Sequence, residues 1–279
     1  MAAMPVIRFL FGLAFVGGML VASAASAADS ASSDHPHDPV AEAEEALIAA
    51  VARAERADPA DAAALAQSLR NLGVFYHTRE RRSEARALLE RALAAQERAS
   101  GVDPADTVTL LYDLAMVYST DGDVAAARKA YARALRLQRR TYGRHDVRTA
   151  ITLNNLAVLH AGQGELRRAA RLHEREIAIL ARAFGEDSIR LVSALERLAH
   201  VHAERGDAVR AESAYRRAIA LAERGRTAAA ERRLLSLLEG YAALLERLPE
   251  RERDAEILAL RAAELGSRQL GADRREPRE

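Results

Sequence analysis

Histidines have the widest chemical repertoire in this chain, whose 279 residues include eight of them and no cysteine. Residues 200–204 (HVHAE) bring three metal-binding side chains within about one helical turn. On a helix, however, side chains two positions apart project from different faces, so His200 and His202 would not bind the same ion. Residues 35–38 (HPHD) offer only a weak site within a polar stretch. The spacing therefore predicts no metal site.

Sequence motifs of catalysis are absent as well. The chain contains no HExxH zinc motif, no GxSxG nucleophile motif, no phosphate-binding P-loop and no paired cysteines. His160, His173 and His202 fall at aromatic positions of an internal sequence repeat, which favours packing in a core over catalysis. An enzyme is therefore the disfavoured class, and we predict no cofactor.

The internal repeat has a period of 42 residues, because segments that begin at Asn71, Asp113, Asn155 and Arg197 align without a gap. Shared positions include a leucine (72, 114, 156 and 198), a small residue directly after it, and an alanine (85, 127, 169 and 211). Each unit holds two segments with helical apolar spacing, and strand-type alternation is missing. The pattern predicts an all-α chain, a right-handed α-solenoid of stacked antiparallel helix hairpins.

Turn residues separate the two helices of each unit. Glycines recur at one position in three repeats (Gly122, Gly164 and Gly206), where they can adopt the left-handed conformation that ends a helix. Asp123 and Asp207 follow and are predicted to cap the next helix. The first repeat has Glu80 in place of the glycine, and we expect Ser83 to be its cap. Glu176 stands at a position where the other repeats carry a small residue.

Composition divides the chain into four parts. Residues 1–27 are typical of a signal peptide and residues 28–39 of a flexible leader. Residues 40–266 form the predicted solenoid, with an N-terminal capping helix (40–57), four clear repeats (about 63–225) and a degenerate fifth (about 228–266). Residues 267–279 are predicted to be a disordered tail.

The N-terminal segment predicts export to the periplasm or the outside of a bacterial cell. Arg8 precedes an apolar run over residues 9–21, and Ala25-Ser26-Ala27 fits a cleavage site after Ala27. A retained membrane anchor is the alternative, although the run is short of the roughly 20 residues of a bilayer span. Cleavage would remove one cation and no acid, which leaves 40 basic and 40 acidic side chains. A chain without net charge is not attracted to nucleic acid or to an anionic membrane.

The repeat resembles the tetratricopeptide repeat. The resemblance lies in the order of its shared positions, which are a leucine, a leucine followed by glycine or alanine, a tyrosine, an alanine, an aromatic residue and a second alanine. Its length is similar to the extended repeats of kinesin-light-chain-like proteins, and residues 149–179 match that pattern best. In the family, first-helix side chains around the motif leucine line a concave groove. The resemblance therefore implies a partner-binding groove formed by Arg70, Asn71, Val74, Tyr112, Asp113, Met116, Asn154, Asn155, Val158, Glu196, Arg197 and His200.

The resemblance implies a non-enzymatic scaffold or adaptor that binds a protein or an extended peptide in this groove. Asparagine amides can both donate to and accept from a peptide backbone, and Arg70 and Arg197 can bind a carboxylate. The alternatives are an envelope protein that self-associates into a homo-oligomer, or a scaffold tethered by an uncleaved N-terminus. Exposed apolar surface on the last helix would favour self-association over groove binding.

Overall fold

The computed structural model describes residues 38–57, 61–225 and 227–273. The predicted signal peptide, most of the leader with its histidines, and the last six residues lie outside them. The described part divides after Val40 into two units, and the second contains the solenoid. The α-helices are α1 (Pro39–Arg56), α2 (Ala62–Thr78), α3 (Arg82–Arg98), α4 (Pro104–Thr120), α5 (Val124–Thr141), α6 (Val147–Gly162), α7 (Leu166–Phe184), α8 (Val192–Glu204), α9 (Ala208–Arg224), α10 (Ala228–Leu245) and α11 (Glu252–Asp273).

Consecutive helices pack as hairpins, and the hairpins stack in chain order. The pairs α2/α3, α4/α5, α6/α7, α8/α9 and α10/α11 form five units, and the second helix of each unit also packs on the first helix of the next. Within α1, Glu44 accepts hydrogen bonds from the hydroxyl of Tyr76 (2.9 Å) and from Arg81 (2.5 Å), which attaches this helix to the first repeat. The predicted all-α solenoid of helix hairpins is confirmed.

The turn inside each hairpin has the same backbone geometry in all four clear repeats. Gly122, Gly164 and Gly206 have φ values of 78°, 72° and 78°, and Glu80 has a φ of 60° at the same position. The next residue donates its N–H to the carbonyl five residues earlier, at 3.0, 2.8, 2.9 and 2.9 Å in repeats one to four. Such a bond closes a helix end through a left-handed residue, so Glu80 adopts the conformation that glycine adopts elsewhere.

Helix caps follow the prediction in two repeats. The Asp123 carboxylate accepts from the Ala126 N–H at 3.0 Å, and the Asp207 carboxylate accepts from the Arg210 N–H at 3.3 Å. The prediction for Ser83 was wrong, because α3 begins at Arg82, two residues earlier than a Ser83 cap implies. Its N-cap is Arg81, whose side chain makes no capping hydrogen bond. The shared turn sets the helix start, so the cap position falls on whichever residue follows Glu80.

The small residues of the repeat lie where the two helices of a hairpin meet. Ala115, Ala157 and Ala199 are fully buried, as are the four alanines at positions 85, 127, 169 and 211. At Gly73 a Cβ atom would lie 2.9 Å from Leu89 Cγ, closer than carbon atoms approach without rearrangement. The repeating small residues therefore permit the close helix contact predicted from the sequence.

The C-terminal helix is longer than predicted. The tail was expected to begin at residue 267, but α11 continues to Asp273, and the Ser267 hydroxyl donates to the Ala263 carbonyl at 2.8 Å. The reason is that Pro277 is the first proline after Pro249, and the isolated glycines Gly266 and Gly271 do not end the helix. Among the helices of the described residues, none combines the length and the apolar character needed to cross a membrane.

Candidate functional site

The predicted groove residues lie on the first helices of the four clear repeats, α2, α4, α6 and α8. Asn71 is exposed, Glu196 is buried, and the other ten are half-buried. Most of the polar ones contact neighbouring repeats, which the sequence pattern did not reveal. Their contacts decide which of them are available to a partner.

Arg70 and Asp113 bind each other across the first and second repeats. Arg70 Nε donates to Asp113 Oδ2 at 2.6 Å, and both side chains are about three-quarters or more covered. Burial raises the pKa of the Asp113 carboxyl, and the neighbouring Arg70 guanidinium acts in the opposite direction. The pair joins α2 to α4, so an arginine that was predicted to bind a partner's carboxylate already binds one within the chain.

Tyr112 belongs to a hydrogen-bond network between the second and third repeats. Its hydroxyl contacts the Thr152 hydroxyl, which donates to Gln138 Oε1 at 2.6 Å. Gln138 Nε2 in turn donates to the Arg148 carbonyl at 3.2 Å. Burial raises the pKa of Tyr112. Because Thr152 and Gln138 are buried and each makes a hydrogen bond, this network holds the two repeats together.

The corresponding hydrogen-bond network between the first and second repeats is incomplete. Gln96 lies 42 residues before Gln138, but Leu110 stands where the later junction has Thr152. Gln96 is 5% exposed, and its Nε2 donor has no hydrogen-bond partner. It faces a cleft of about 140 Å³ between α2, α3 and α4, whose other polar lining side chains are Gln67, Arg70, Asp106 and Thr109. Sequence reasoning missed this cleft, although the replacement of Thr152 by Leu110 in the aligned repeats is a signal for it.

The asparagines keep part of their hydrogen-bonding capacity. Asn154 Nδ2 donates to Asn155 Oδ1 at 3.1 Å, while Asn154 Oδ1 is buried without a partner. Gln67 Nε2 donates to Asn71 Oδ1 at 2.8 Å, which leaves both N–H groups of the Asn71 amide accessible. Met116 and Val158 are half-buried and supply apolar surface on the same helices.

Glu196 is occupied by the fifth repeat. It accepts from Arg233 Nη1 at 3.0 Å and from the Ser236 hydroxyl at 2.7 Å, and its side chain is only 9% exposed. The carboxylate therefore joins α8 to α10, as the Arg70–Asp113 pair joins α2 to α4. Glu196 is a repeat-to-repeat contact and is not free to bind a partner.

Arg197 completes a buried ionic group with Glu176 and His173. Arg197 Nη2 donates to Glu176 Oε1 at 2.8 Å, and His173 Nδ1 lies 2.8 Å from Glu176 Oε2. Glu176 is 4% exposed and His173 is 1% exposed. The buried Glu176 carboxylate of the third repeat thus has a histidine and an arginine as partners. One repeat earlier, the positions of His173 and Arg197 are occupied by Tyr131 and Asn155.

The two histidines of the 200–204 segment lie in different surroundings on α8. His200 packs edge-to-face on Tyr215 with ring centroids 5.7 Å apart, whereas His202 is 2% exposed on another side of α8. The two therefore project apart as predicted. Within residues 38–57, 61–225 and 227–273, no group of three or more histidine, aspartate or glutamate side chains is placed to hold a metal ion.

Comparison with protein families agrees with the repeat geometry. Residues 65–106 and 106–182 each match a tetratricopeptide repeat model. The prediction of tetratricopeptide repeats is therefore confirmed for residues 65–182. No curated protein sequence matches the chain significantly.

Solved structures share the fold at low sequence identity. BtubC (BKLC) from P. vanneervenii superposes with a TM-score of 0.70 at 20% identity, over 87% of this chain and 96% of that one. A putative kinesin light chain from Podosopora anserina gives a TM-score of 0.63 at 18% identity, over 76% and 98%. The apo form of RapI gives 0.61 at 15% identity, over 84% and 80%. These structures share the fold of stacked helix hairpins with this chain.

Proposed function

We propose that this protein is an adaptor that binds an extended segment of a partner protein along its first helices, with the main anchor at the first two repeats. The observation that carries the proposal is the unpartnered Gln96 Nε2 at the cleft between α2 and α4. A buried donor without a partner costs about 1–3 kcal/mol, so a carbonyl or carboxylate oxygen that enters the cleft recovers that energy on binding.

Further contacts of the same kind lie along the first helices. Asn71 presents its amide N–H groups to solvent, and Asn154 Oδ1 lacks a donor. Met116 and Val158 supply adaptable apolar contact between these polar positions. An extended peptide offers alternating N–H and C=O groups, which is the chemistry that these side chains complement.

Export is part of the proposal. Its support is the sequence of residues 8–27, with a cation, an apolar run and a small-residue cleavage site. We place the adaptor in the bacterial periplasm or outside the cell, and a retained N-terminal anchor is the alternative arrangement. Sequencing the N-terminus of the protein recovered from its native host distinguishes the two, because cleavage leaves Ala28 as the first residue.

The test of groove binding is affinity capture from the native envelope fraction, with a groove variant that avoids the repeat-to-repeat contacts. Asn71→Ala, Met116→Ala and Asn154→Ala are combined, because the hydrogen bonds of Asn71 and Asn154 described above join residues of the same helix. The matched control replaces three exposed arginines of the second helices by alanine, at Arg140, Arg171 and Arg182. A partner that the wild type and the control capture and the groove variant loses supports the proposal.

The cleft itself is tested by Gln96→Met, which keeps the side-chain length and removes the amide donor. The captured partner should bind this variant about tenfold more weakly, which corresponds to the loss of one buried hydrogen bond. Unchanged affinity of both the groove variant and Gln96→Met would place binding on another surface. Circular dichroism of each variant confirms that the helices are retained.

A further inference from the structure

The outer face of the last helix, α11, carries exposed apolar side chains. Ile257 and Leu260 are 57% and 67% exposed. Among the described residues, seven large hydrophobic side chains are exposed, and α11 is the one helix that has two of them. They lie one turn apart, so they form a continuous patch on one face. Such a patch on the last helix favours self-association.

The patch belongs to a longer stripe with a defined order of charge. Arg253, Ile257, Leu260 and Glu264 follow one another at spacings of four, three and four residues, which places them on one face of the helix. All four are exposed, while the buried Ala255 and Ala262 mark the opposite face, which packs on the solenoid. Neither Arg253 nor Glu264 has an ion-pair partner in the part of the chain that the structure describes.

We propose that two copies of this protein associate through this stripe, with their α11 helices antiparallel about a two-fold axis between Ile257 and Leu260. In that arrangement Arg253 faces Glu264 of the second copy at both ends, and Ile257 faces Leu260 of the second copy in the centre. A parallel arrangement would instead oppose arginine to arginine and glutamate to glutamate. The stripe is therefore complementary to itself in one orientation, as a two-fold interface requires.

The size of the stripe predicts a weak and reversible dimer. The four residues span about 16 Å of helix, at 1.5 Å per residue. Such a contact falls below the roughly 1,200 Å² of a standard stable interface, so a dissociation constant on the order of micromolar is expected. The two-fold axis closes the assembly at two copies and leaves the first helices outside the interface, so this proposal does not depend on groove binding.

The first test measures the mass of the full chain by sedimentation equilibrium over a range of concentrations. The wild type should pass from monomer to dimer, and Leu260→Asp should raise the dissociation constant at least about tenfold, because it places a charge in the apolar centre. The matched control is Ile151→Asp on α6, an apolar residue that is 59% exposed and belongs to the third unit, whereas α11 belongs to the fifth. The control should dimerise like the wild type.

The second test uses charge reversal to establish the antiparallel orientation. Arg253→Glu and Glu264→Arg each oppose like charges at both ends of the stripe, so each variant alone should dimerise more weakly. An equimolar mixture of the two should associate as well as the wild type, because every end then pairs glutamate with arginine. Arg253→Glu also suits the helix dipole, because it places an acid in the first turn of α11, and circular dichroism checks that both variants keep their helices.

The outcomes separate the proposal from its rivals. A wild type that stays monomeric at concentrations of about 100 µM, far above the expected dissociation constant, would overturn it. Self-association that Leu260→Asp leaves unchanged would overturn the stripe as the interface. Charge-reversal variants that dimerise like the wild type, alone and mixed, would overturn the antiparallel pairing. Weakening by each single reversal with recovery in the mixture is the supporting result.

Discussion

Replacing Glu80 with glycine should stabilise the protein, although it removes a side chain. Glu80 has a φ of 60° at the turn where Gly122, Gly164 and Gly206 have values of 72° to 78°. The left-handed conformation costs a non-glycine residue about 1–2 kcal/mol, because its Cβ atom crowds the following carbonyl. The Glu80 side chain is exposed and makes no hydrogen bond in the described part of the chain, so little is lost with it.

The expected gain is the difference between two opposing contributions. Relief of the left-handed strain contributes about 1–2 kcal/mol, and the greater freedom of glycine in the unfolded chain subtracts about 0.5–1 kcal/mol. With both contributions near the middle of their ranges, Glu80→Gly should raise the free energy of unfolding by about 0.7 kcal/mol. For a domain of this size, that change raises the melting temperature by roughly 1–4 °C.

Chemical denaturation of the wild type and three variants measures the effect. Gly122→Glu makes the reverse change at the same turn of the second repeat and should destabilise by a similar amount. Asp121→Gly is the matched control, since this residue has a φ of −79°, and glycine there should destabilise by about 0.5–1 kcal/mol. The reasoning is refuted if Glu80→Gly lowers the midpoint, or if Asp121→Gly raises it equally.

Three further predictions concern the buried polar groups. Arg197→Ala should destabilise by about 3 kcal/mol, because it leaves the buried Glu176 carboxylate without its cation. The triple variant His173→Tyr, Glu176→Ala and Arg197→Asn, which installs the residues of the second and third repeats, should stay within about 1 kcal/mol of the wild type in the same urea titration. Thr152→Val should lower the free energy of unfolding by about 2 kcal/mol, since it breaks the network with Gln138 and Tyr112. The control Thr109→Val removes only a hydrogen bond to its own helix and should lower it by less than about 0.5 kcal/mol. Burial lowers the pKa of His202 below its ordinary 6.5, and Arg205 acts in the same direction. The unfolded chain therefore binds the proton more readily, and stability falls as the pH drops below about 6.5. His202→Phe should show a smaller loss between pH 7.5 and 5.5, and an equal loss in both proteins would contradict this assignment.

The sequence predicted the helices and their turns because those depend on the repeating residues. The leucines, the small residues and the glycines recur every 42 positions, and their spacing alone predicts hairpins that pack closely. The turn at Glu80 shows that the repeat geometry overrides the preference of a single residue. The end of α11 was harder to predict, because a charged segment without proline is compatible with both a helix and a disordered tail.

The contacts of the predicted groove residues were not foreseen, because the position of a residue in the groove does not decide whether its side chain is available. Arg70 and Asp113 were each expected to face a partner, but adjacent repeats bring these two opposite charges together. Similarly, Glu196 is neutralised by Arg233. Arg233 belongs to the fifth unit, whose sequence does not follow the 42-residue register of the four clear repeats. Pairings of this kind depend on how neighbouring units stack, which a pattern within one unit does not contain.

In the described residues, each clear repeat makes its principal contacts with the neighbouring repeats, and this limits the distance over which a local change acts. The principal helix contacts join helices of the same unit or of adjacent units. In such a linear array, stability is a sum of unit terms and neighbour terms, so strain at one end decays over a few units. Occupation of the cleft at the first two repeats and pairing through α11 should therefore be energetically independent. A dimer would present two grooves to one partner, and tethering would raise the apparent affinity without any communication between the two sites.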